Sequence, residues 1–331
     1  MPVSKIALIV SLMCATSVFA GYTEGEQAMN AKQYAQAFAE FKPLAPSDFR
    51  AQYYLGFLYL NGYGAPKDLK TAFTYIKKSS DSGFDMAQSL LGYMYSEGLG
   101  TAKNKAKAIE LYEKAAEQGN ISANLNLGVA YYTGDGVTKD IKRAIAYFEK
   151  VPATDKPVVG RYLGTIYLYE PDFIDYDKAY QNFMAAARGD DLDSYYTLGY
   201  MLQKGFGVNL DMTKAIQYYK YAAAKNHAPA QYALGMIYAN GDGVIANKAD
   251  AYAWLSMAAA QSYPAAKNAL AKLEDTMSLS DVDRGRRQIS NFQQTVLGAG
   301  AVSPLDEAKA AAANASAPRT NVIIRRFRTR R

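Results

Sequence analysis

The chain has very few of the side chains that build metal sites and nucleophilic active sites. Its 331 residues include one cysteine, Cys14, and one histidine, His227. A zinc site of the usual kind needs several Cys or His ligands, and a Ser-His-acid triad would depend on His227 alone. No Gly-x-Ser-x-Gly turn is present. We therefore expect no metal site, no cofactor and no catalytic residue, and a structural role for His227.

Long hydrophobic runs are also scarce. The apolar stretch Ile6–Met13 follows a single cation, Lys5, and leads to small residues ending at Ala20. This pattern is typical of a secretory signal peptide, and it is far shorter than the roughly 20 residues of a membrane-spanning helix. Residues 1–20 are thus predicted to be removed, which makes the mature protein periplasmic or secreted. An uncleaved anchor and acylation at Cys14 remain as alternatives.

The body of the chain has no large excess of positive or negative charge. The net charge of +6 comes from the tail, residues 319–331, because removing its six arginines and Lys5 leaves 30 basic and 31 acidic residues. A near-neutral body argues against a surface for specific nucleic-acid binding. The tail follows residues 298–318, a stretch rich in Ala, Gly, Ser and Pro that we expect to be a flexible linker. The tail arginines are Arg319, Arg325, Arg326, Arg328, Arg330 and Arg331.

Two roles remain open for this Arg-rich tail. It is either a solvated, disordered end or a segment that holds the protein on an anionic membrane surface or an acidic partner.

A repeat of about 36 residues runs through the chain. A Leu-Gly pair occurs six times, at spacings of 36, 36, 36, 35 and 36 residues. Three residues after each glycine lies an aromatic or large apolar residue, and an alanine follows sixteen residues after the glycine, or fifteen in the fourth copy. Periods of this length are typical of helical repeats. The pairs begin at Leu55, Leu91, Leu127, Leu163, Leu198 and Leu234.

Within each period, the residues that typically end and begin helices predict two helices. Five of the six copies carry Gly-x-Gly, which is suited to ending a first helix, helix A. An Asp or Asn then follows as a predicted N-cap of a second helix, helix B. The glycine of the Leu-Gly pair lies in the middle of helix A, where a missing side chain lets two helices cross closely. The predicted N-caps are Asp68, Asn104, Asp140, Asp211 and Asn247.

These residues resemble the Sel1-like repeat family, which is related to tetratricopeptide repeats. The family pattern of Ala, Leu-Gly, Tyr, Gly-x-Gly-Val, Asp and Lys-Ala recurs, for example, in ANLNLGVAYYTGDGVTKDIKRAIAYF from Ala123. The resemblance implies an all-α fold, a right-handed α-solenoid of about seven stacked helix-turn-helix repeats. It implies a divergent tetratricopeptide-like repeat over residues 21–50, six Sel1-like copies over 51–275 and a C-terminal capping helix over 276–297. Ser280 and Asp283 are spaced like a capping box for that helix.

The fourth copy departs from this pattern. Pro152 and Pro157 are expected to shorten the preceding helix B, and YEPDFIDYD replaces the Gly-x-Gly turn. Simple drift and a bend that shapes a binding surface are both open explanations.

The resemblance also implies a function. In tetratricopeptide-like pairs, the helix A positions two before the Leu and one and four after the Gly face a concave groove, and aromatic residues and Arg anchor interfaces. We expect a non-enzymatic scaffold or adaptor of the bacterial envelope that binds a protein segment in this groove, with envelope signalling and host interaction both open as roles. The predicted groove residues are Tyr53, Phe57, Tyr93, Leu125, Val129, Tyr132, Arg161, Tyr196, Tyr200, Tyr232 and Met236.

Two alternatives to a groove-binding scaffold are kept. The first is an envelope enzyme that works through paired carboxylates. Asp135 and Asp242 would be its candidates, although their Gly-Asp-Gly setting indicates turn residues. The second is a binder of anionic surfaces through the Arg-rich tail.

Overall fold

The computed structural model describes residues 21–152, 156–295 and 303–306, and within these ranges the regular structure is helical, with no strand. The chain divides into two compact units between Asp155 and Lys156. The expected signal peptide and the Arg-rich tail lie outside the described residues.

The first unit is built of helical hairpins in which odd-numbered helices are helices A and even-numbered helices are helices B. Each helix packs against its neighbours along the chain. The helices are α1 (21–30), α2 (Tyr34–Leu44), α3 (Phe49–Asn61), α4 (Leu69–Asp81), α5 (Asp85–Glu97), α6 (Lys105–Glu117), α7 (Ile121–Thr133) and α8 (Ile141–Glu149).

The second unit repeats the same hairpin, and its last helix B packs on the helix B before it. Its helices are α9 (Lys156–Tyr169), α10 (Tyr176–Ala187), α11 (Leu192–Lys204), α12 (Met212–Ala224), α13 (Ala228–Asn240), α14 (Lys248–Ala260), α15 (Pro264–Glu274) and α16 (Leu279–Thr295). The predicted all-α fold of stacked helix-turn-helix repeats is therefore confirmed.

Each Leu-Gly glycine marks a place where helix A closely approaches helix B of the same hairpin. A Cβ atom added to Gly128 would lie 2.5 Å from the Phe148 ring, and one added to Gly92 would lie 2.7 Å from the Tyr112 ring. The side chain of helix B fills the space that the glycine leaves, which accounts for a residue of low helix propensity at mid-helix. The pairs are Gly56 with Ile76, Gly92 with Tyr112, Gly128 with Phe148, Gly164 with Phe183, Gly199 with Tyr219 and Gly235 with Leu255.

The two glycines of each Gly-x-Gly turn have different tasks. The first ends helix A in the left-handed region, with φ between 71° and 81°, as at Gly134, whose N–H donates to the Ala130 carbonyl at 2.8 Å. The second also has positive φ, and a Cβ atom there would collide with the start of the previous hairpin's helix B, for example 2.5 Å from Cβ of Met212 at Gly243. The second glycine thus sets how closely successive repeats stack.

All five predicted N-caps of helix B are confirmed. Asp140, for example, accepts a hydrogen bond from the Arg143 N–H at 2.9 Å, and Asp211 accepts one from the Lys214 N–H at 2.9 Å. Each such bond satisfies a backbone donor that the first helical turn leaves without a partner.

The fourth copy is irregular, as its prolines predict. Helix α8 before it has nine residues, whereas α4 and α6 have thirteen. A short 3-10 turn, Pro171–Phe173, replaces the Gly-x-Gly turn, and Asp175 caps α10 by accepting from the Lys178 N–H.

The predicted capping box of the closing helix is displaced by two residues. The reciprocal bonds of α16 join Ser278 and Asp281, because Ser278 Oγ accepts from the Asp281 N–H at 3.2 Å while the Asp281 carboxylate accepts from the Ser278 N–H at 3.3 Å. Asp283 instead lies 3.9 Å from Arg286 on the next turn. Both pairs have the spacing of a capping box, and α16 begins at the earlier pair.

Candidate partner-binding surface

The predicted groove residues, named here the A-face residues, lie on helices A and none of them is buried. Tyr93 and Arg161 are exposed and the other nine are half-buried. In the neighbouring column three residues after each glycine, Tyr95, Tyr131, Tyr167 and Leu202 are buried, whereas Tyr59 and Tyr238 are half-buried. This column is therefore packed more deeply between the helices than the A-face residues, although not at every repeat.

In the first unit, Tyr93 links two surface depressions between successive helices A. One is a cavity of about 240 Å³ that Tyr53 and Tyr93 share with residues of α5 and α7. The other, of about 200 Å³, lies between Tyr93 and Val129 and is floored by Tyr112. The structure thus brings three A-face residues of successive repeats, Tyr53, Tyr93 and Val129, around one pair of depressions.

The other A-face residues of this unit, Phe57, Leu125 and Tyr132, line neither of these two depressions. Phe57 meets the edge of Tyr63, with ring centroids 6.4 Å apart. Lys139 approaches the ring of Tyr132 at 5.8 Å. Leu125 is half-buried on α7.

The hydroxyl of Tyr53 is held in its neutral form. Burial, and secondarily the negative charge of Asp85, raises the pKa of Tyr53 above its usual value of 10.0. The ring packs edge-on against Phe84, with centroids 5.4 Å apart. At neutral pH this side chain therefore presents an apolar ring and a hydrogen-bond donor together.

In the second unit, the three A-face tyrosines pack beside other aromatic rings. Tyr196 packs beside Tyr219 at a centroid distance of 5.7 Å, and Tyr232 packs beside Tyr263 at 5.5 Å. Burial raises the pKa of Tyr196, and neighbouring tyrosines act in the same direction. The Tyr200 ring packs edge-on against Phe206, which lies in the turn after α11.

A pocket of about 450 Å³ opens beside these residues, between α13 and α15. Tyr232 and Met236 form one wall, and Leu273 of α15 faces them. Its further lining residues are Ala239, Leu255, Ala265, Asn268, Ala269, Lys272 and Thr276.

Arg161 differs from the other A-face residues because its charge is already paired. Its guanidinium lies 3.2 Å from Asp193 and 3.6 Å from Asp191, and Asp193 also lies 3.0 Å from Nε2 of His227. These contacts join helices A of successive repeats. Arg161 therefore orders the surface, and its charge is partly neutralised toward an incoming ligand.

The single histidine has a structural role that the sequence reasoning left unspecified. Nδ1 of His227 accepts a hydrogen bond from the Ala230 N–H at 3.3 Å, so His227 is the N-cap of α13. Asn120 and Asp191 cap α7 and α11 at the equivalent positions. Because His227 occupies the same position in the repeat as these two caps, its position could have identified it as an N-cap from the sequence.

Asp135, a candidate carboxylate for glycoside hydrolysis, lies in an open depression of the first unit. Glu97 and Asp135 line the same depression, but both side chains are exposed and Lys105 forms an ion pair with Asp135. A general acid needs apolar surroundings that disfavour its charged form. Asp242, the other Gly-Asp-Gly residue, is exposed in its turn. Across the described ranges, no group of three or more His, Cys, Asp or Glu side chains is placed to hold a metal ion.

Comparison with known proteins decides the family. The Sel1 repeat model matches residues 49–84, 85–120, 121–150, 192–227 and 228–263, which together make up more than half of the chain. The chain belongs to the Sel1 repeat family. The stretch that the model passes over between 150 and 192 contains the irregular fourth copy. Sel1 repeats in general mediate protein–protein interaction and are generally non-enzymatic.

Solved Sel1 structures share the fold. The c5321 protective antigen of uropathogenic Escherichia coli, which has an SLR fold, is 26% identical with a TM-score of 0.74 over 86% of this chain. The present chain spans 62% of the length of that protein. A Sel1 repeat protein of Oxalobacter formigenes is 32% identical with a TM-score of 0.61, over 72% of this chain and 99% of its own. No curated protein sequence matches the chain significantly.

None of the helices in the described ranges has both the length and the apolar character that crossing a membrane requires.

Proposed function

We propose that this Sel1 repeat protein is a non-enzymatic adaptor that binds a segment of another protein along its A-face residues. The observation that supports this proposal is the division of the helix A aromatics. Tyr95, Tyr131 and Tyr167 of the neighbouring column are buried, whereas Tyr53, Tyr93 and Tyr232 border open depressions. Tyrosine suits such a surface because its rigid ring gives contact area and its hydroxyl gives a hydrogen bond.

The shape of the depressions favours a polypeptide ligand. Each is an open space of about 200 to 450 Å³; two of them lie between successive helices A of the first unit and one lies in the second unit. An extended segment can place successive side chains in such spaces. A near-neutral body gives little long-range attraction for polyanions, which argues for a ligand read by apolar contact and hydrogen bonds.

We further propose that the protein acts outside the cytoplasm, in the periplasm or after secretion. The signal-like residues 1–20 support this location. The related E. coli protein is described as a protective antigen, which is in keeping with exposure outside the cell. Regulation of envelope signalling and interaction with a host are the two roles that fit such an adaptor.

A peptide-display selection on the protein lacking residues 1–20 tests the A-face. Peptides selected by the wild type are measured against a variant with Tyr196→Ala, Tyr200→Ala and Tyr232→Ala. We expect binding to fall by about 2 kcal/mol or more for each residue that is a hot spot, while helicity by circular dichroism stays constant. The matched control carries Tyr75→Ala and Tyr147→Ala, which remove half-buried tyrosines from helices B.

The outcome separates the two faces of the hairpins. Loss of binding in the A-face variant with retention in the control supports the proposal. Selected peptides that bind the A-face variant as well as the wild type, and lose affinity in the control, would move the site to helices B.

A further inference from the structure

Four residues of the expected linker are packed against the second unit. Ser303 and Leu305 are only 8% and 7% exposed. The Asp306 N–H donates to the Ser303 carbonyl at 2.9 Å and the Leu305 N–H donates to Ser303 Oγ at 3.2 Å, which closes a short turn. The expectation of a flexible linker therefore does not describe Ser303–Asp306.

The turn lies where α10 ends, α11 begins and α12 ends. Tyr195, in the first turn of α11, is 2% exposed, and its hydroxyl lies 2.6 Å from Ser303 Oγ in a buried hydrogen bond. The Tyr195 ring packs against Tyr221 of α12, with centroids 4.3 Å apart. Burial raises the pKa of Tyr195 to about 12, although the Ser303 hydrogen bond acts in the opposite direction. A neutral, buried hydroxyl thus meets the serine of the turn.

The turn and the helices also enclose a small cavity. It has a volume of about 190 Å³, with Ala187, Tyr221 and Leu305 among its lining. The charged residues Arg188, Asp190 and Asp306 line it as well.

Asp190 completes the rim of this pocket, and its charge is already satisfied. It accepts hydrogen bonds from Tyr221 Oη at 2.8 Å and Lys225 Nζ at 2.5 Å. These bonds lower the pKa of Asp190 against the opposing effect of burial. A paired carboxylate repels an incoming acidic residue less than a free one.

We propose that the surface formed by the end of α10, the start of α11 and the end of α12 is a binding site for a Ser-Pro-Leu-Asp turn and that the chain's own Ser303–Asp306 occupies it in cis. Two residues of the turn have counterparts there, because Ser303 meets the Tyr195 hydroxyl and Leu305 is buried. The site does not depend on the A-face. It lies at the loop edge of the hairpins and none of the A-face residues lines it.

Occupation in cis also has a consequence for the C-terminal end. The Arg-rich tail begins at Arg319, thirteen residues after Asp306. An extended chain of that length spans at most about 45 Å. The length of the connecting chain therefore limits how far the tail can reach from the docked turn.

A labelled peptide with the sequence of residues 300–309, GAVSPLDEAK, is the probe. Its binding is measured by fluorescence anisotropy, up to about 1 mM protein, on the chain from residue 21 to 331 and on its Leu305→Asp variant. A tethered competitor has an effective concentration on the order of 1 mM, so a turn with an intrinsic Kd of about 0.1 mM leaves roughly a tenth of the pockets open. We expect Leu305→Asp to bind the probe about tenfold more tightly than the wild type. The matched control is Leu279→Asp, at a leucine that is 88% exposed on α16, and it should bind like the wild type.

Two further measurements identify the site and the cis contact. Adding Tyr195→Phe to Leu305→Asp removes the hydroxyl that meets the serine and should weaken probe binding about fivefold. Hydrogen exchange of the wild type should show protection of the Leu305 amide. The proposal is overturned if Leu305→Asp binds the probe no better than the wild type, if Tyr195→Phe has no effect on that binding, or if the Leu305 amide exchanges at the rate of a free peptide.

Discussion

Filling the space at Gly128 is the sharpest test of how the hairpins are held together. The position lies at the middle of α7, and Phe148 of α8 occupies the volume that a side chain would need. Phe148 is 1% exposed, so its ring has no path to solvent without moving α8. In Gly128→Leu the new Cβ would start 2.5 Å from the ring, and three more carbons follow it.

The magnitude follows from two opposing effects. Leucine is a better helix former than glycine by somewhat under about 1 kcal/mol, which favours the variant. Overpacking a well-filled contact costs about 1–3 kcal/mol and occasionally more. Because the overlap at Gly128 involves a buried ring, we expect the packing cost to prevail and the variant to lose about 1–3 kcal/mol in total. For a domain of 150–250 residues each kcal/mol lowers the melting temperature by about 2–4 °C.

Thermal melts followed by circular dichroism at 222 nm measure the loss, and two further variants assign its cause. Gly119→Ala adds a Cβ into open space at φ +86°, so it reports backbone strain without a packing clash. Phe148→Ala alone should cost about 3–5 kcal/mol through a cavity. Combined with Gly128→Leu it should cost at least about 1 kcal/mol less than the sum, because the new leucine fills that cavity. An unchanged melt for Gly128→Leu, or strict additivity in the double variant, would refute the close approach of α7 and α8 at this glycine.

Three other expectations concern export, a helix cap and the tail. The exported protein should begin at Gly21 and contain no cysteine, and an intact mass that retains residues 1–20 or carries acyl chains would contradict this. Asp48 caps α3, and although burial opposes the shift, hydrogen bonds from Arg50 and the backbone lower its pKa below 3.8. The ionised Asp48 carboxylate thus stabilises the folded protein. This stabilisation is complete above pH 3.8 and is lost as the pH falls through the lowered pKa that Asp48 has in the folded state. The melting temperatures of wild type and Asp48→Asn should therefore converge in that acid range. The full chain from residue 21 should co-sediment with anionic vesicles at low salt and be released at about 0.5 M salt, whereas a form ending at Pro318 should not bind; equal sedimentation of both would leave the tail without this role.

The positions of helices and turns could be predicted because each depends on a local or periodic signal. The Leu-Gly pair predicted the close crossing, but it did not show that the partner side chain lies twenty residues later at Phe148 or nineteen later at Phe183. That partner is set by the length of the turn between the helices. The capping box of α16 was misplaced because Ser278 with Asp281 and Ser280 with Asp283 have the same spacing.

The docked turn could not be predicted from composition. Averaged over residues 298–318, the segment has too few apolar residues to fold by itself. In the structure, the Ser303 hydroxyl meets that of Tyr195, and Leu305 lines a cavity together with Tyr221. Contacts between a short segment and a distant surface leave no periodic trace in the sequence.

The fold does not require particular side chains at the A-face positions. In the second unit, two successive repeats carry Arg161 and Thr165, then Tyr196 and Tyr200, at the same two positions of helix A. Both repeats form the same hairpin, and both keep glycine where helix B crosses. The hairpin therefore does not require tyrosine at these two positions, whereas it does require a missing side chain between them. Stability and surface chemistry are thus assigned to different residues of one helix, which lets the surface vary from repeat to repeat while the stack is preserved.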